Sequence, residues 1–246
     1  MFWKQPNYQI RSGKINNTLW ILLNKKFRSL HLNKINMHAL IEDLKWRYAT
    51  KKFDTSKKIS DDQLEIIKES LRLVPSSYGL QPLKFIIITS SEIREKLKDA
   101  SYGQTQVTDA SHLIVICADL DVRNTDIDSF IQNTIETRNV AFESVKNFSE
   151  SMKNSFSKLS LEQKKIWTSK QAYIALGQLL NTCAALRIDA TPMEGFEPHK
   201  YNQILDLDSK NLSAVLLCPV GFRHKADKNQ FKEKVRKRKE DLFQEL

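Results

Sequence analysis

Glycine is scarce, with 6 in 246 residues, and none of them builds a G-x-G-x-x-G turn or a G-x-x-x-x-G-K-[ST] loop. A Rossmann dinucleotide site and a P-loop are therefore both excluded, and any phosphate must be held by side-chain cations. Cysteine is as sparse: Cys117, Cys183 and Cys218 sit inside apolar runs with no C-x-x-C or histidine spacing. That pattern argues against a zinc site or a disulfide framework and fits core thiols in a reducing compartment, so a cytoplasmic protein is expected. Long hydrophobic runs are missing as well. The early run Thr18–Leu23 falls far short of the roughly 20 residues a membrane helix needs and has no small-residue cleavage site after it, so no membrane span is expected. Acidic residues are absent from the first 41 positions, which hold seven Lys or Arg, and the remaining chain carries 32 basic against 29 acidic residues. The net charge of +10 thus sits mostly in one segment, without the basic stripe and interleaved aromatics of a dedicated nucleic-acid binder. No specific nucleic-acid partner is expected.

Residues 1–36 are rich in Lys, Asn and Arg and show no sustained periodicity. We expect a poorly ordered basic extension, or an upstream start ahead of Met37; an organellar transit peptide is the alternative that this composition also fits. From Met37 onward the chain reads as one α+β domain, 37–246. Leu40, Ile41, Leu44 and Trp46 approximate a helical stripe. Ser60 with Gln63 forms a capping box ahead of a helix carrying Leu64, Ile67, Leu71 and Val74, which Pro75 stops. Phe85–Ile88, Leu113–Ala118 and Ala214–Cys218 are short and apolar on both faces, and read as strands covered on two sides. A short helix is expected near Glu92–Lys98, and a weakly apolar segment, 126–158, reads as helix with unclear edges. Ser160 with Gln163 caps another helix that Ile166, Tyr173, Leu176, Leu180, Cys183, Ala184 and Leu186 carry up to Pro192. Towards its end that helix is apolar nearly all round, which suits a core position or a subunit interface.

Short polar stations punctuate these elements: Arg47-Tyr48-Ala49-Thr50-Lys51, Pro75-Ser76-Ser77-Tyr78-Gly79-Leu80-Gln81-Pro82, Gly103-Gln104-Thr105-Gln106, Met193-Glu194-Gly195-Phe196 and Lys234-Val235-Arg236. Together they supply cations, amides, hydroxyls and flexible backbone, an inventory suited to a phosphate and a polar heterocycle. Arg47, Lys234 and Arg236 suit phosphate, since arginine makes two-pronged bonds to its oxygens and lysine adds a mobile charge. Singly, each also reads as a surface charge. Gln104 and Gln106 each donate and accept, as a flavin's pyrimidine edge requires. Pro75–Gly79 and Glu194-Gly195 equally fit ordinary turns. No nucleophile and base pair stands out: His112 adjoins a buried strand and reads as structural, and His199 beside Pro198 reads as a solvent-facing helix start.

In order and spacing these stations, with Thr108-Asp109-Ala110-Ser111-His112, resemble the nitroreductase family of FMN-dependent NAD(P)H oxidoreductases, near its oxygen-insensitive nitroreductase and dihydropteridine reductase branch. The resemblance implies a central mixed β-sheet flanked by helices in an intertwined homodimer, with FMN bound at the subunit interface. It places Arg47, Lys234 and Arg236 at the flavin phosphate, Tyr48 and Ala49 in the same binding segment, and Lys51 beside the N1 and O2 edge. It also places Gln104 near the ring, Glu194 and Gly195 with backbone amides facing N5 and O4, and Pro75, Ser76 and Ser77 at the partner subunit's FMN. The implied reaction is ping-pong: hydride passes from NAD(P)H to the flavin, then to a small-molecule acceptor such as a nitroaromatic, quinone or pterin, with no catalytic side chain required. Three positions depart from the family pattern. Ala49 lacks a common hydroxyl, Gln106 stands where a basic residue is often near, and Arg238 replaces a proline. A non-catalytic flavin-binding or sensing module would use the same pocket, and a nucleic-acid-associated protein would instead depend on the basic first 41 residues.

Overall fold

The strands predicted from unbroken apolar runs form the centre of the computed structural model, which describes residues 37–246; the expectations for residues 1–36 lie outside the described residues. Contacts divide the chain into two units, 1–42 and 43–246, and of the first only the opening of helix α1 (Met37–Trp46) is described. In the second unit β1 (Leu83–Ile88), β2 (His112–Asp119), β3 (Asp189–Ala190) and β4 (Leu212–Gly221) form one sheet of order β1-β2-β4-β3. All three strand pairings are antiparallel, with Phe85 opposite Ile116 and Ile114 opposite Cys218. Among the described residues the parallel component of this sheet is the bridge from Ala49 to Ala190.

Both faces of the sheet are covered, as the two-sided apolar pattern requires. Ile114, Ile116, Leu216, Cys218 and Val220 pack on one face with Ile67 and Leu71 of α2 (Asp61–Arg72) and Leu176, Leu179 and Cys183 of α7 (Leu161–Ala185). Leu113, Val115, Cys117 and Leu217 pack on the other with Leu97 of α3 (Ser91–Asp99), Phe196, and Tyr201 of α8 (Pro198–Leu205). Each fully buried aliphatic here contributes about 1.5–3 kcal/mol. All three cysteines are free and buried in these layers. Both Ser-x-x-Gln capping boxes form, the serine accepting the backbone N–H of Gln63 or Gln163 at the start of α2 and α7.

Two elements end differently from the pattern. The segment 126–158 is two helices, α5 (Asn124–Arg138) and α6 (Lys146–Ser157), because Asn139 takes a left-handed conformation at φ 50°. Their apolar sides, Ile127, Ile131, Met152 and Phe156, make a separate cluster with Trp167. Helix α7 stops at Ala185 rather than running up to Pro192: Arg187 turns left-handed at φ 57°, Ile188 N–H donates to the Cys183 carbonyl at 2.8 Å, and Asp189 enters the sheet edge. Among the described residues no helix is long and apolar enough to cross a membrane, and no cluster of three or more His, Cys, Asp or Glu could hold a metal.

Candidate functional site

The segment after α1 is strapped to the sheet edge rather than left as a loop. Ala49 bridges to Ala190 of β3, the Thr191 hydroxyl donates to the Thr50 carbonyl at 2.6 Å, and the Thr50 hydroxyl donates to Asp189 at 3.2 Å. Beyond it, Asp54 N–H donates to the Phe222 carbonyl at 2.7 Å and His224 N–H to the Lys52 carbonyl at 2.9 Å, so residues 52–54 zip onto the end of β4. Asp189 is 3% exposed and accepts from the Arg223 backbone N–H at 2.7 Å and its Nε at 2.8 Å. The Arg223 guanidinium carbon lies 4.1 Å from the Trp46 ring centroid and 4.6 Å from that of Tyr48, a stacked cation between two aromatic faces.

Asp227 closes the other end of the strap. It is 1% exposed, and one carboxylate oxygen accepts from Lys51 N–H at 2.7 Å, Lys52 N–H at 3.0 Å and the Tyr48 hydroxyl at 3.1 Å, while the other accepts from Asn229 N–H at 2.9 Å. Burial pushes its pKa up, but the amides of Asn229, Lys51 and Lys52 outweigh burial and hold it below the ordinary carboxylate range. Burial, followed by the nearby Asp227 charge, pushes the Tyr48 phenol up to about 12.

The strap and the C-terminal segment enclose a cleft of about 430 Å³ lined by Arg47, Tyr48, Ala49, Lys51, Lys234 and Arg236, half of the predicted cofactor residues, together with Asn229, Lys232, Glu233 and Val235. Lys234 Nζ donates to the Arg47 carbonyl and ties the two segments together. Arg47 Nε is buried without a hydrogen-bond partner. The Arg47 pKa is lowered by burial and then by Arg236, and that of Lys234 by burial, then Arg47 and Arg236. An orphaned buried donor and mutually repelling cations are costs that a bound dianion removes, so this donor set fits the phosphate of FMN.

The remaining predicted residues form two further groups. Gln104 donates from its side-chain nitrogen to the Gly195 carbonyl at 2.7 Å and the Ser101 carbonyl at 3.1 Å, so its amide hydrogens brace the Gly195 turn. A Cβ at Gly195 would come within 3.3 Å of that nitrogen. Glu194 accepts from the Tyr173 hydroxyl of α7 at 2.7 Å. Gln106, the stand-in for a basic residue, is instead buried at the start of the short helix α4 (Gln106–Asp109). Pro75, Ser76 and Ser77 do not line the cleft. Ser77 N–H donates to Gln171 of α7 at 2.9 Å, Ser76 Oγ accepts from Gln81 N–H at 2.8 Å, and Tyr78, at φ 60°, lies among Phe148, Phe156 and Trp167. His112 is half-buried with Nδ1 3.0 Å from Ser111 Oγ, and His199 is exposed in the first turn of α8; both match their structural reading.

Residues 44–222 match the model of the Nitroreductase family, most of the chain. This chain belongs to the nitroreductase family. It is 33% identical over 215 residues to the major NAD(P)H-flavin oxidoreductase of Aliivibrio fischeri, covering 84% of this chain and 98% of that protein. Solved structures agree in fold. A nitroreductase-like protein of Streptococcus mutans superposes with a TM-score of 0.75 at 18% identity, covering 85% of this chain and 99% of its own. A protein of Exiguobacterium sibiricum, solved in complex with FMN, does so with a TM-score of 0.73 at 22% identity, covering 84% and 97%. In this chain the residues that sequence patterns missed are Asp189, Arg223 and Asp227, which touch the strap and do not line the cleft. Only Asp227 has a local signal, its carboxylate accepting the N–H two residues on in an Asx-type turn.

Proposed function

We propose that this chain is an NAD(P)H-dependent flavin oxidoreductase that binds FMN, with the phosphate held by Arg47, Lys234 and Arg236. The observation that carries this reading is the buried, unpartnered Arg47 Nε inside a cluster of three cations. The relative in Aliivibrio fischeri, named an NAD(P)H-flavin oxidoreductase and matched over 98% of its length, supports it. When bound, the flavin supplies hydride acceptance from NAD(P)H and delivery to a second small molecule, such as a quinone, nitroaromatic or pterin, in a ping-pong sequence.

The chain's own residues bind and orient. Lys51, exposed at the mouth of the cleft, presents a cation to the edge of the ring where negative charge collects on reduction. Tyr48 and Ala49 form the cleft wall, and Gln104 fixes the Gly195 turn so that the backbone N–H groups of Glu194 and Gly195 face the ring. Pro75, Ser76 and Ser77 serve the flavin of a second subunit. A homodimer is supported by apolar surface that one chain leaves exposed: Ile166, Tyr173 and Ile174 on α7, and Val235, Leu242 and Phe243 in the C-terminal segment. The free, buried cysteines are compatible with action in the cytoplasm. Steady-state rates with NADH or NADPH varied against a fixed series of quinone concentrations test the reading. Parallel double-reciprocal lines are expected; converging lines contradict the ping-pong sequence, and no turnover with bound flavin points to a binding module.

A further inference from the structure

Lys51 projects from a backbone segment that the sheet edge holds at Ala49, Thr50, Lys52 and Asp54 and that one buried carboxylate holds at the Lys51 and Lys52 amides. Asp227 takes the N–H groups of Lys51 and Lys52 on a single oxygen at 2.7 and 3.0 Å, the Tyr48 hydroxyl on the same oxygen, and Asn229 N–H on the other. It therefore bonds both walls of the cleft: residues 48–52 on one side, and on the other the segment that runs from Asn229 to Lys234 and Arg236. Three of the four partners lie 175 to 179 residues away in sequence, so the carboxylate joins segments that are remote in the chain. Four donors converging on a group that is 1% exposed are more than a turn needs, and a charged acceptor bonds backbone N–H groups more strongly than a neutral one. Lys51 itself is exposed, so the clamp acts on it by fixing the point and direction in which its side chain leaves the backbone.

We propose that Asp227 is a positioning residue for the flavin: by clamping the amides of Lys51 and Lys52 and the Tyr48 hydroxyl, it aims the Lys51 ammonium at the ring edge and holds the phosphate cleft closed. The inference rests on the reading of the cleft as an FMN site. It predicts that neutralising Asp227 weakens the preference of the site for reduced over oxidised flavin, and that this loss travels through Lys51.

The test compares wild type, Asp227→Asn, Lys51→Ala and the double variant. Hydrogen exchange of the FMN-free proteins reports the clamp: in Asp227→Asn, peptides covering residues 48–54 should exchange at least tenfold faster while those covering β2 stay protected. FMN titration should show at least a tenfold rise in Kd. The midpoint potential of bound flavin should fall by about 30 mV for each tenfold loss of preference for the reduced form. In the Lys51→Ala background, Asp227→Asn should shift the potential no further. Asp227→Ala, which keeps no acceptor, should shift all three readouts further than Asn, which keeps one neutral acceptor, and Asp227→Glu, which keeps the charge, serves if Asn fails to fold. Additive potential shifts in the double variant, or an unchanged potential and affinity despite faster exchange, overturn the proposal. A wild-type protein that takes up no FMN overturns the cofactor reading and this inference together, whereas normal uptake with an indifferent Asp227→Asn overturns this inference alone.

Discussion

Removing one cation from the proposed phosphate cleft should move two properties in opposite directions. Arg236 depresses the pKa of both Arg47 and Lys234, so in the ligand-free protein it is a source of repulsion. Arg236→Ala relieves it, and the ligand-free melting temperature should stay level or rise slightly. With FMN present, the same change deletes a charge-assisted donor. Such a bond at a buried group is worth about 1.5–3 kcal/mol, or about 10- to 150-fold in Kd. Arg47, half-buried with an unpartnered Nε, belongs at the upper end, so Arg47→Ala should weaken FMN about 100-fold. Arg236 is exposed and partly screened by solvent, which brings its expected loss down to about tenfold. The assay is fluorescence titration of FMN and riboflavin side by side, with thermal melts of the ligand-free proteins. Riboflavin lacks the phosphate, so its affinity should not change. Equal losses for both ligands would refute phosphate binding at these residues, as would an Arg236→Ala protein that melts lower without ligand and binds FMN normally.

Three other perturbations follow from the same structure. Asp189→Ala strands the Arg223 guanidinium between Trp46 and Tyr48, and breaking a buried ion pair should cost about 3–5 kcal/mol in urea denaturation; a loss under about 1 kcal/mol contradicts the assigned role. Asp119 is raised to about 6, first by burial and then by Asp126. Its carboxyl therefore holds its proton more tightly folded than unfolded, so stability should fall as pH rises from about 4 to 6, and Asp119→Asn should remove that part of the slope in denaturation curves taken across the window. Ile174→Glu puts a charge in the exposed apolar face of α7, and light scattering should find a dimer for wild type, as proposed, and a monomer for the variant; an unchanged mass would place the interface elsewhere.

Local signals in the sequence were reliable where a few neighbouring residues decide the outcome. Ser60 with Gln63 and Ser160 with Gln163 cap helices because side chain and backbone three residues apart satisfy each other, whatever the rest of the chain does. The strands could be read because Leu113–Ala118 and Ala214–Cys218 are apolar on both faces, and both faces are covered. The break at Arg187 could not, since no glycine or asparagine marks that left-handed turn, whereas Asn139 is a residue type that tolerates such a cap and marks its break locally. At the site, the cations could be recognised by type and order, and the cleft gathers Arg47, Lys51, Lys234 and Arg236. Its scaffold could not. Asp227 is one carboxylate in a charged segment, and its meaning comes from amides 175 and 176 residues distant. Gln104 shows a second side to the same point: its amide suggested a ring contact, and its hydrogens also brace the Gly195 and Ser101 carbonyls, a role that residue type alone does not announce.

The cleft, as proposed, loads a flavin that turns over. The most direct measurement is the visible absorption spectrum of the purified protein after incubation with FMN and gel filtration, recorded before and after anaerobic addition of NADPH or NADH. The expected result is a retained yellow chromophore that bleaches on adding the nucleotide and recovers on adding a quinone. A protein that emerges colourless from the column, or a bound flavin that stays oxidised with both nucleotides, would contradict it.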